Sequence, residues 1–541
     1  MVRTRRLQIT CIALLAMVAV SMFAAALTAA PKPAAPPRKP RVQLPDLKTP
    51  EDKVRFLELI RSNFPATKQS KNLSFSASDL DERLDADIAK ATSTPFARVI
   101  DDETFIRRAT IDLTGHYPTP AELQAFIENK DPKKRAKLVD QLLETDAYAR
   151  KWARYWREVI FHGSAAATVT TNANALEDWF FEQFKNNTPW DRVVAELVSA
   201  YPKRQPASVK NENNAWYQNY GPNNFVLACD RVPETIASQT ARIFMGISIG
   251  CAECHDHPFD NWKREQFHEL AAFFTTGKYL MTDQKDPTKK IEMYPKFLLG
   301  EDPEVELTPD QRRVAAAAYL VYNPANYWFS RAYVNRIWNE LLGDGFYSVD
   351  SLGPDKECSH QLVANRLGAT FRYSGFDTKW LFRTIMNTHA YQREISTIDT
   401  DADLFTAVRP ARLRHYEVAD NLERLVGPNE GLRRQVKAAF LQDPSMPQRD
   451  LEGSIQQALL MMNNGYVQSR LATGDLKNRL VLIKTNPELI TTAFLEVVAR
   501  HPTDDEKARF DKFINESASR DEAAADLLWI LTNSAEFITK R

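Results

Sequence analysis

Residues 233–260 read PETIASQTARIFMGISIGCAECHDHPFD, a helix signal followed by a polar loop with two cysteines. Pro233 suits the first turn of a helix, where its missing N–H would have no partner. Apolar residues then recur with the 3.6-residue period of an α-helix, at Ile236, Ile243, Phe244 and Ile247. The glycines between residues 246 and 250 permit a left-handed exit from a helix. We therefore expect a helix that ends directly before the cysteines.

The same kind of signal recurs along the chain. Residues 119–122 read TPAE and residues 308–311 read TPDQ. Each is a capping box, in which threonine is the N-cap, proline holds the first helical position and Glu or Gln reaches back. Glycine is sparse, at 17 of 541 residues, and good helix formers dominate outside the proline-rich stretches. The sequence predicts a mainly α protein.

The length favours more than one domain, because a single core rarely serves 541 residues. We place a first helical domain at residues 75–280 and a second at residues 308–541. Residues 281–307 hold several prolines and mixed charges without a sustained period, which is typical of a linker.

The N-terminus predicts export. Arg3, Arg5 and Arg6 precede an apolar run over residues 11–30, and the small residues Ala24 to Ala26 offer a cleavage site. We interpret residues 1–30 as a signal peptide, with an uncleaved membrane anchor over residues 11–30 as the alternative. Residues 31–74 begin rich in proline and are predicted to form a tether. The body of the protein is therefore expected in the periplasm, in the cell envelope or in the medium.

The charge argues against nucleic acid as a partner, because 70 Lys and Arg balance 70 Asp and Glu. No paired carboxylates or activated nucleophile stand out, so the sequence leaves open whether the protein is an enzyme.

Cys251, Cys254 and His255 have the spacing of a c-type haem attachment site, Cys-x-x-Cys-His. In such a site the two thiols form thioethers with the haem vinyl groups and the histidine binds the iron. Export supports this interpretation, since haem attachment belongs to the same compartment in which disulfides persist.

Two other interpretations of this run stay open. Cys251, Cys254, His255 and His257 could together hold a zinc or iron ion, because four N and S donors suit a closed site. Alternatively, Cys251 and Cys254 form a disulfide or stay reduced in a structural role. Asp256 and Asp260 either orient an imidazole or serve as turn and cap residues.

Other residues of interest lie outside the run. No sixth iron ligand is assigned, although Met245, His268 and Met281 are near in sequence. Cys229 and Cys358 could bridge the two domains, but free thiols are the default expectation.

Residues 106–115 (IRRATIDLTG), with Pro118 to Pro120, and residues 251–260 followed by Trp262 resemble the planctomycete cytochrome-associated domain of unknown function. Residues 330–338 (SRAYVNRIW), with residues 375–381, resemble its usual C-terminal partner domain. The resemblance covers about residues 75 to 541. It implies a large exported protein of the bacterial envelope and supplies no established reaction.

Two functions follow as expectations. The first is an exported, cytochrome-like protein that transfers electrons or supports an envelope oxidoreductase, with other envelope proteins or redox partners as its contacts. The second is a non-catalytic envelope scaffold whose Cys and His residues bind a structural metal or form a disulfide.

Overall fold

The helix signals of the sequence appear in the structure as predicted. The computed structural model of the chain describes residues 50–62, 75–162, 172–201, 219–303, 305–396 and 404–540. Over these residues the protein is mainly α, which confirms the predicted fold class. The predicted signal peptide lies outside the described residues. Of the predicted tether, residues 50–62 are described, and Pro50–Arg61 form a helix with Phe56 and Ile60 buried.

The helices that precede the cysteines and the one that follows them are short to medium in length. In chain order they are α1 Pro50–Arg61, α2 Ala77–Ala91, α3 Asp102–Thr114, α4 Pro120–Glu128, α5 Lys134–Leu143, α6 Asp146–Phe161, α7 Ala173–Lys185, α8 Trp190–Ser199, α9 Asn223–Ala228, α10 Pro233–Met245 and α11 Arg264–Ala271.

A second series of helices runs through the rest of the chain. It comprises α12 Pro309–Tyr322, α13 Tyr327–Leu342, α14 Gln361–Tyr373, α15 Thr378–Met386, α16 His389–Gln392, α17 His415–Val426, α18 Glu430–Phe440, α19 Ile455–Asn463, α20 Gly465–Thr473, α21 Asp475–Leu482, α22 Asn486–Val497, α23 Asp504–Glu516 and α24 Arg520–Thr532.

Two small antiparallel sheets complete the described part of the fold. Strands β1 Tyr279–Thr282 and β2 Lys290–Met293 form a hairpin just after α11, with Tyr279 opposite Met293. Strands β3 Ala411–Arg412 and β4 Thr539–Lys540 join the chain's last residues to the start of α17. Short 3₁₀ turns occupy Gly250–Glu253, Gln448–Asp450 and Ala535–Ile538.

Both predicted capping boxes form. At the start of α4, Thr119 Oγ1 accepts the N–H of Glu122 at 3.3 Å and the Glu122 carboxylate accepts the N–H of Thr119 at 2.8 Å. Thr308 and Gln311 make the same reciprocal pair at α12. These caps satisfy N–H groups that a helix cannot pair internally, so local sequence sets both helix starts.

The predicted left-handed exit before the cysteines also forms. Gly246 ends α10 with φ at 67°, a conformation that favours glycine. Its position is crowded as well, since a Cβ built there would lie 2.6 Å from Cδ1 of Leu352. The carbonyl of Gly246 accepts the N–H of Leu352 at 2.6 Å, so the end of α10 is tied to the second half of the chain.

Aromatic side chains from both halves share one core. Trp156 of α6 stacks on Tyr333 of α13 with ring centroids 5.7 Å apart and planes 2° apart. Trp190 of α8 lies 4.6 Å from Tyr333, and Trp152 lies 4.6 Å from Phe382 of α15. All described residues except 303, 305 and 306 belong to one compact unit.

None of the helices in the described ranges is long and apolar enough to cross a membrane. The predicted anchor at residues 11–30 lies outside those ranges.

Candidate functional site: the cysteine loop

The run with the two cysteines forms an exposed loop between α10 and α11. We call residues 250–260 the cysteine loop. Ala252 is fully buried and anchors the 3₁₀ turn, whereas Cys251 and Cys254 on either side of it are exposed. Neither thiol is in a disulfide, so the structure does not contain the Cys251–Cys254 bridge that the sequence left open. Both sulfurs are accessible for chemistry.

His255 is set up as a ligand through Nε2. Its Nδ1 lies 2.7 Å from the backbone carbonyl of Asp256. A carbonyl can only accept, so Nδ1 carries the proton and Nε2 keeps its lone pair. The side chain is exposed, and Nε2 has no partner among the residues that the structure describes. A backbone carbonyl on the other ring nitrogen is how a metal-binding histidine is commonly oriented.

His257 has the opposite arrangement. Its Nδ1 accepts the N–H of Phe259 at 3.2 Å, so the proton of the neutral ring is on Nε2. Neither nitrogen then offers a free lone pair while this bond is kept. His257 therefore shapes the turn, and His255 is the better prepared of the two histidines predicted as metal ligands.

The carboxylate of Asp256 caps α11 and does not orient the imidazole. It accepts Lys263 Nζ at 2.9 Å and the N–H of Arg264 at 3.1 Å. The hydrogen bond from Lys263 and the bond from the Arg264 amide lower the pKa of Asp256. Asp260 accepts the N–H of Asn261 at 2.8 Å, a local turn contact.

Side chains from outside the loop hold its carbonyl groups. The Glu253 carbonyl lies 3.2 Å from Arg264 Nε and 3.0 Å from His268 Nε2. Gln284 of the β1–β2 turn donates to the Cys254 carbonyl at 2.6 Å. The loop backbone is therefore positioned from α11 and from the hairpin, which leaves the thiols and His255 facing outward.

The second half of the chain also contacts the loop and Asn261, the residue that follows it. Lys356 Nζ donates to the Phe259 carbonyl at 3.1 Å, and Asn261 donates to the carboxylate of Asp355. The Phe259 ring itself is 77% exposed, which is unusual for a large apolar side chain.

Behind the loop lies a group of residues that the sequence did not reveal. His268 Nδ1 lies 2.8 Å from the hydroxyl of Tyr279, which in turn lies 2.7 Å from Oε1 of Glu234. His268 and Tyr279 are buried, and Glu234 is partly exposed. The sequence pointed to one member of this group only, because His268 lies on the first helix after the loop.

The candidates for a sixth iron ligand are not presented to the loop surface. Met245 and Met281 are buried at 0% and 4% exposure, and His268 already uses both ring nitrogens. The structure thus names no sixth ligand among these three.

Cys229 and Cys358 are unpaired, in agreement with the default expectation. Cys229 is buried, and burial raises its pKa to about 12. Burial also raises the pKa of Cys358, beside Tyr347. Neither thiol resembles the exposed pair in the loop.

Covalent haem and a closed metal site need different donors from this run. Haem c uses the thiols for attachment and needs only the histidine as an iron ligand from this run. A closed zinc site needs four donors around one ion. Across the described ranges, no three His, Cys, Asp or Glu side chains are grouped so that they could hold a metal ion.

Two family models match the chain. Residues 79–279 match PSCyt2, described as a protein of unknown function (DUF1549), and residues 312–442 match PSD1, also described as a protein of unknown function (DUF1553). Both regions are domains of unknown function. They occur in the order that the resemblance predicted, and the cysteine loop lies inside the PSCyt2 match. No curated protein and no solved structure matches the chain.

Proposed function

We propose that this chain is an exported envelope protein that carries a covalently attached haem at Cys251 and Cys254, and that it transfers electrons to or from envelope partners. The observation that carries the proposal is the state of His255. Its Nδ1–H is used by the Asp256 carbonyl, so its Nε2 lone pair is available beside two exposed, unpaired thiols.

The surrounding residues support this role. Bound haem would supply a one-electron carrier. Cys251 and Cys254 would hold it, His255 would ligate its iron, and the contacts from Arg264, Gln284 and Lys356 keep the loop backbone in place.

Export is also proposed. The prediction of export depends on the sequence pattern of residues 1–30 alone. Haem attachment and the redox partners we expect both belong to the exported side of the membrane. The exposed ring of Phe259 gives the loop an apolar side chain that could cover part of a haem face.

The test is expression of the full chain, with its own N-terminus, in a bacterial host that has haem attachment machinery. We expect export, a reduced α-band in the absorbance spectrum, and haem that stays with the polypeptide after denaturation. A Cys251→Ser, Cys254→Ser double variant should lose the covalent haem. Cys358→Ser, which removes a thiol outside the loop, should retain it.

A second pair of variants separates haem from a mononuclear metal. His255→Ala should abolish the native haem spectrum, whereas His257→Ala should leave it unchanged, because His257 Nδ1 serves the turn. A colourless protein that contains one zinc per chain, and loses it in both histidine variants, would contradict the haem proposal. That result would support the envelope scaffold with a structural metal.

A further inference from the structure

We infer that Glu234, Tyr279 and His268 form a proton relay that ends on the cysteine loop and couples proton uptake to electron transfer there. This inference rests on the proposed function. The three residues come from three separate elements, α10, β1 and α11, and they are joined by hydrogen bonds of 2.7 Å and 2.8 Å.

The relay ends between the two cysteines. His268 Nε2 lies 3.0 Å from the carbonyl of Glu253, whose peptide bond leads to the nitrogen of Cys254. A carbonyl accepts and never donates, so Nε2 must carry a proton. The protonation state of the His268 imidazole therefore acts directly on the backbone that carries the two cysteines.

Counting hydrogens shows that the three groups share one extra proton. With Nε2 protonated, a neutral His268 has a bare Nδ1, which needs the Tyr279 hydroxyl as a donor. Tyr279 also contacts Glu234, and one hydroxyl cannot donate to both. Both short contacts are satisfied only if His268 is an imidazolium that donates to Tyr279, or if Glu234 is a carboxylic acid that donates to Tyr279. These two states differ only by the position of one proton along the relay.

The burial pattern gives the relay a direction. Glu234 is partly exposed and meets solvent, whereas His268 and Tyr279 are each 6% exposed. A proton can enter at Glu234 and reach His268 by movement along two hydrogen bonds. Burial raises the pKa of Tyr279 well above its ordinary value, so the phenol passes a proton on and does not ionise.

Burial and several charges act on His268, and together they lower its pKa. Burial lowers its pKa, and the Glu253 carbonyl raises it. Arg264 lowers it further, while Glu234 and Glu265 raise it. Burial and the charge of Glu234 raise the pKa of the Glu253 carboxyl, which faces the same region.

Electron transfer then couples to this proton by simple electrostatics. With haem bound, an electron from a one-electron donor protein would add one negative charge to the group that Cys251, Cys254 and His255 hold. Glu234 would then take one proton from solvent, and the relay would hold it as the positive charge of His268 next to the Glu253 carbonyl. On oxidation by a one-electron acceptor protein the electron would leave and the proton would return to solvent through Glu234, so charge and atoms balance.

The first test uses the protein without haem. Histidine labelled at Cε1 is followed by NMR against pH, and His268→Gln assigns the signal. In Tyr279→Phe the midpoint of His268 should fall by about one pH unit, because the imidazolium loses a charge-assisted hydrogen bond. Tyr294→Phe removes an exposed tyrosine just after β2 and should leave the midpoint unchanged. An unchanged midpoint in Tyr279→Phe overturns the relay.

The second test uses the haem-loaded protein. Its midpoint potential should fall by about 59 mV for each tenfold drop in proton activity near neutral pH, which corresponds to one proton per electron. Tyr279→Phe and Glu234→Gln should both flatten this slope, and Tyr294→Phe should not. Glu234→Gln keeps a side chain of the same size, which guards against a loss of folding.

The outcomes separate the two proposals. If no haem attaches, the proposed function is wrong and so is the coupling to electron transfer. The NMR titration still tests the proton relay, because it uses the protein without haem. If haem attaches and the slope is flat in the wild type, or equally steep in both relay variants, the coupling is wrong and the proposed function stands.

Discussion

The Lys151 ammonium lies 2.9 Å from Oε1 of Glu417, and the two side chains are 5% and 0% exposed. Lys151 belongs to the region that matches PSCyt2 and Glu417 to the region that matches PSD1. Burial opposes ionisation of Glu417, but the charges of Lys151 and Lys540 outweigh it and lower its pKa. The two matched regions are thus joined by a buried ion pair.

Removing Lys151 should be costly, because the buried Glu417 carboxylate then loses the cation that lowers its pKa most. We expect Lys151→Met to lower the free energy of unfolding by about 3–5 kcal/mol, measured by urea denaturation. The control is Lys512→Met, since Lys512 and Glu516 are 74% and 67% exposed and 3.8 Å apart. That change should cost less than about 1 kcal/mol. Equal effects of the two changes would contradict the role given to the buried pair.

Alkylation of the haem-free protein should separate the cysteines of the described ranges into three classes. Cys251 and Cys254 are exposed and unpaired, so iodoacetamide should modify both in the native state. Cys229 is buried with its pKa raised to about 12, and it should react only after unfolding. Cys358 should react slowly, because burial raises its pKa too. Peptide mass spectrometry gives the site-resolved rates, and protection of Cys251 and Cys254 alone would argue for a disulfide there.

Gly246→Ala should destabilise the junction between α10 and the cysteine loop. The new methyl group would meet Leu352 at 2.6 Å in a backbone with φ at 67°, so both space and conformation oppose it. We expect a loss of about 1–3 kcal/mol in the free energy of unfolding. Gly277→Ala is the matched control, since no heavy atom lies within 4 Å of a Cβ built there. A loss of the same size at Gly277 would show that local strain at Gly246 is not the cause.

Asp191 should make stability depend on pH in an unusual direction. Its Oδ1 is buried with no hydrogen-bond partner among the described residues, and burial raises its pKa from 3.8 to about 6. Between these values the folded protein binds more protons than the unfolded chain does, so this group lowers stability as pH rises and the full loss is present above about pH 6.

Asp191→Asn should remove that loss. Urea denaturation from pH 4 to pH 7 should show the advantage of the variant growing with pH and then levelling off, at up to about 3 kcal/mol. Asp505→Asn, at a side chain that is 89% exposed, serves as the control and should show no such trend. An advantage that is the same at every pH would mean that the carboxyl of Asp191 does not titrate as described.

The local features of this protein follow from the sequence. The mainly α class, the caps at Thr119 and Thr308 and the left-handed exit at Gly246 depend on contacts within one or two helical turns. Such contacts form between residues that are close in sequence, so a sequence pattern can predict them. The spacing of Cys251, Cys254 and His255 is equally local.

Only the tertiary structure decided how that loop is used. It placed both thiols at the surface, assigned the proton of His255 to Nδ1 and turned His257 toward the backbone of its own turn. It also brought Glu234, Tyr279 and His268 together from positions 45 and 11 residues apart, and Lys151 to Glu417. Contacts between distant positions depend on how whole helices pack, and no single stretch of sequence contains that packing.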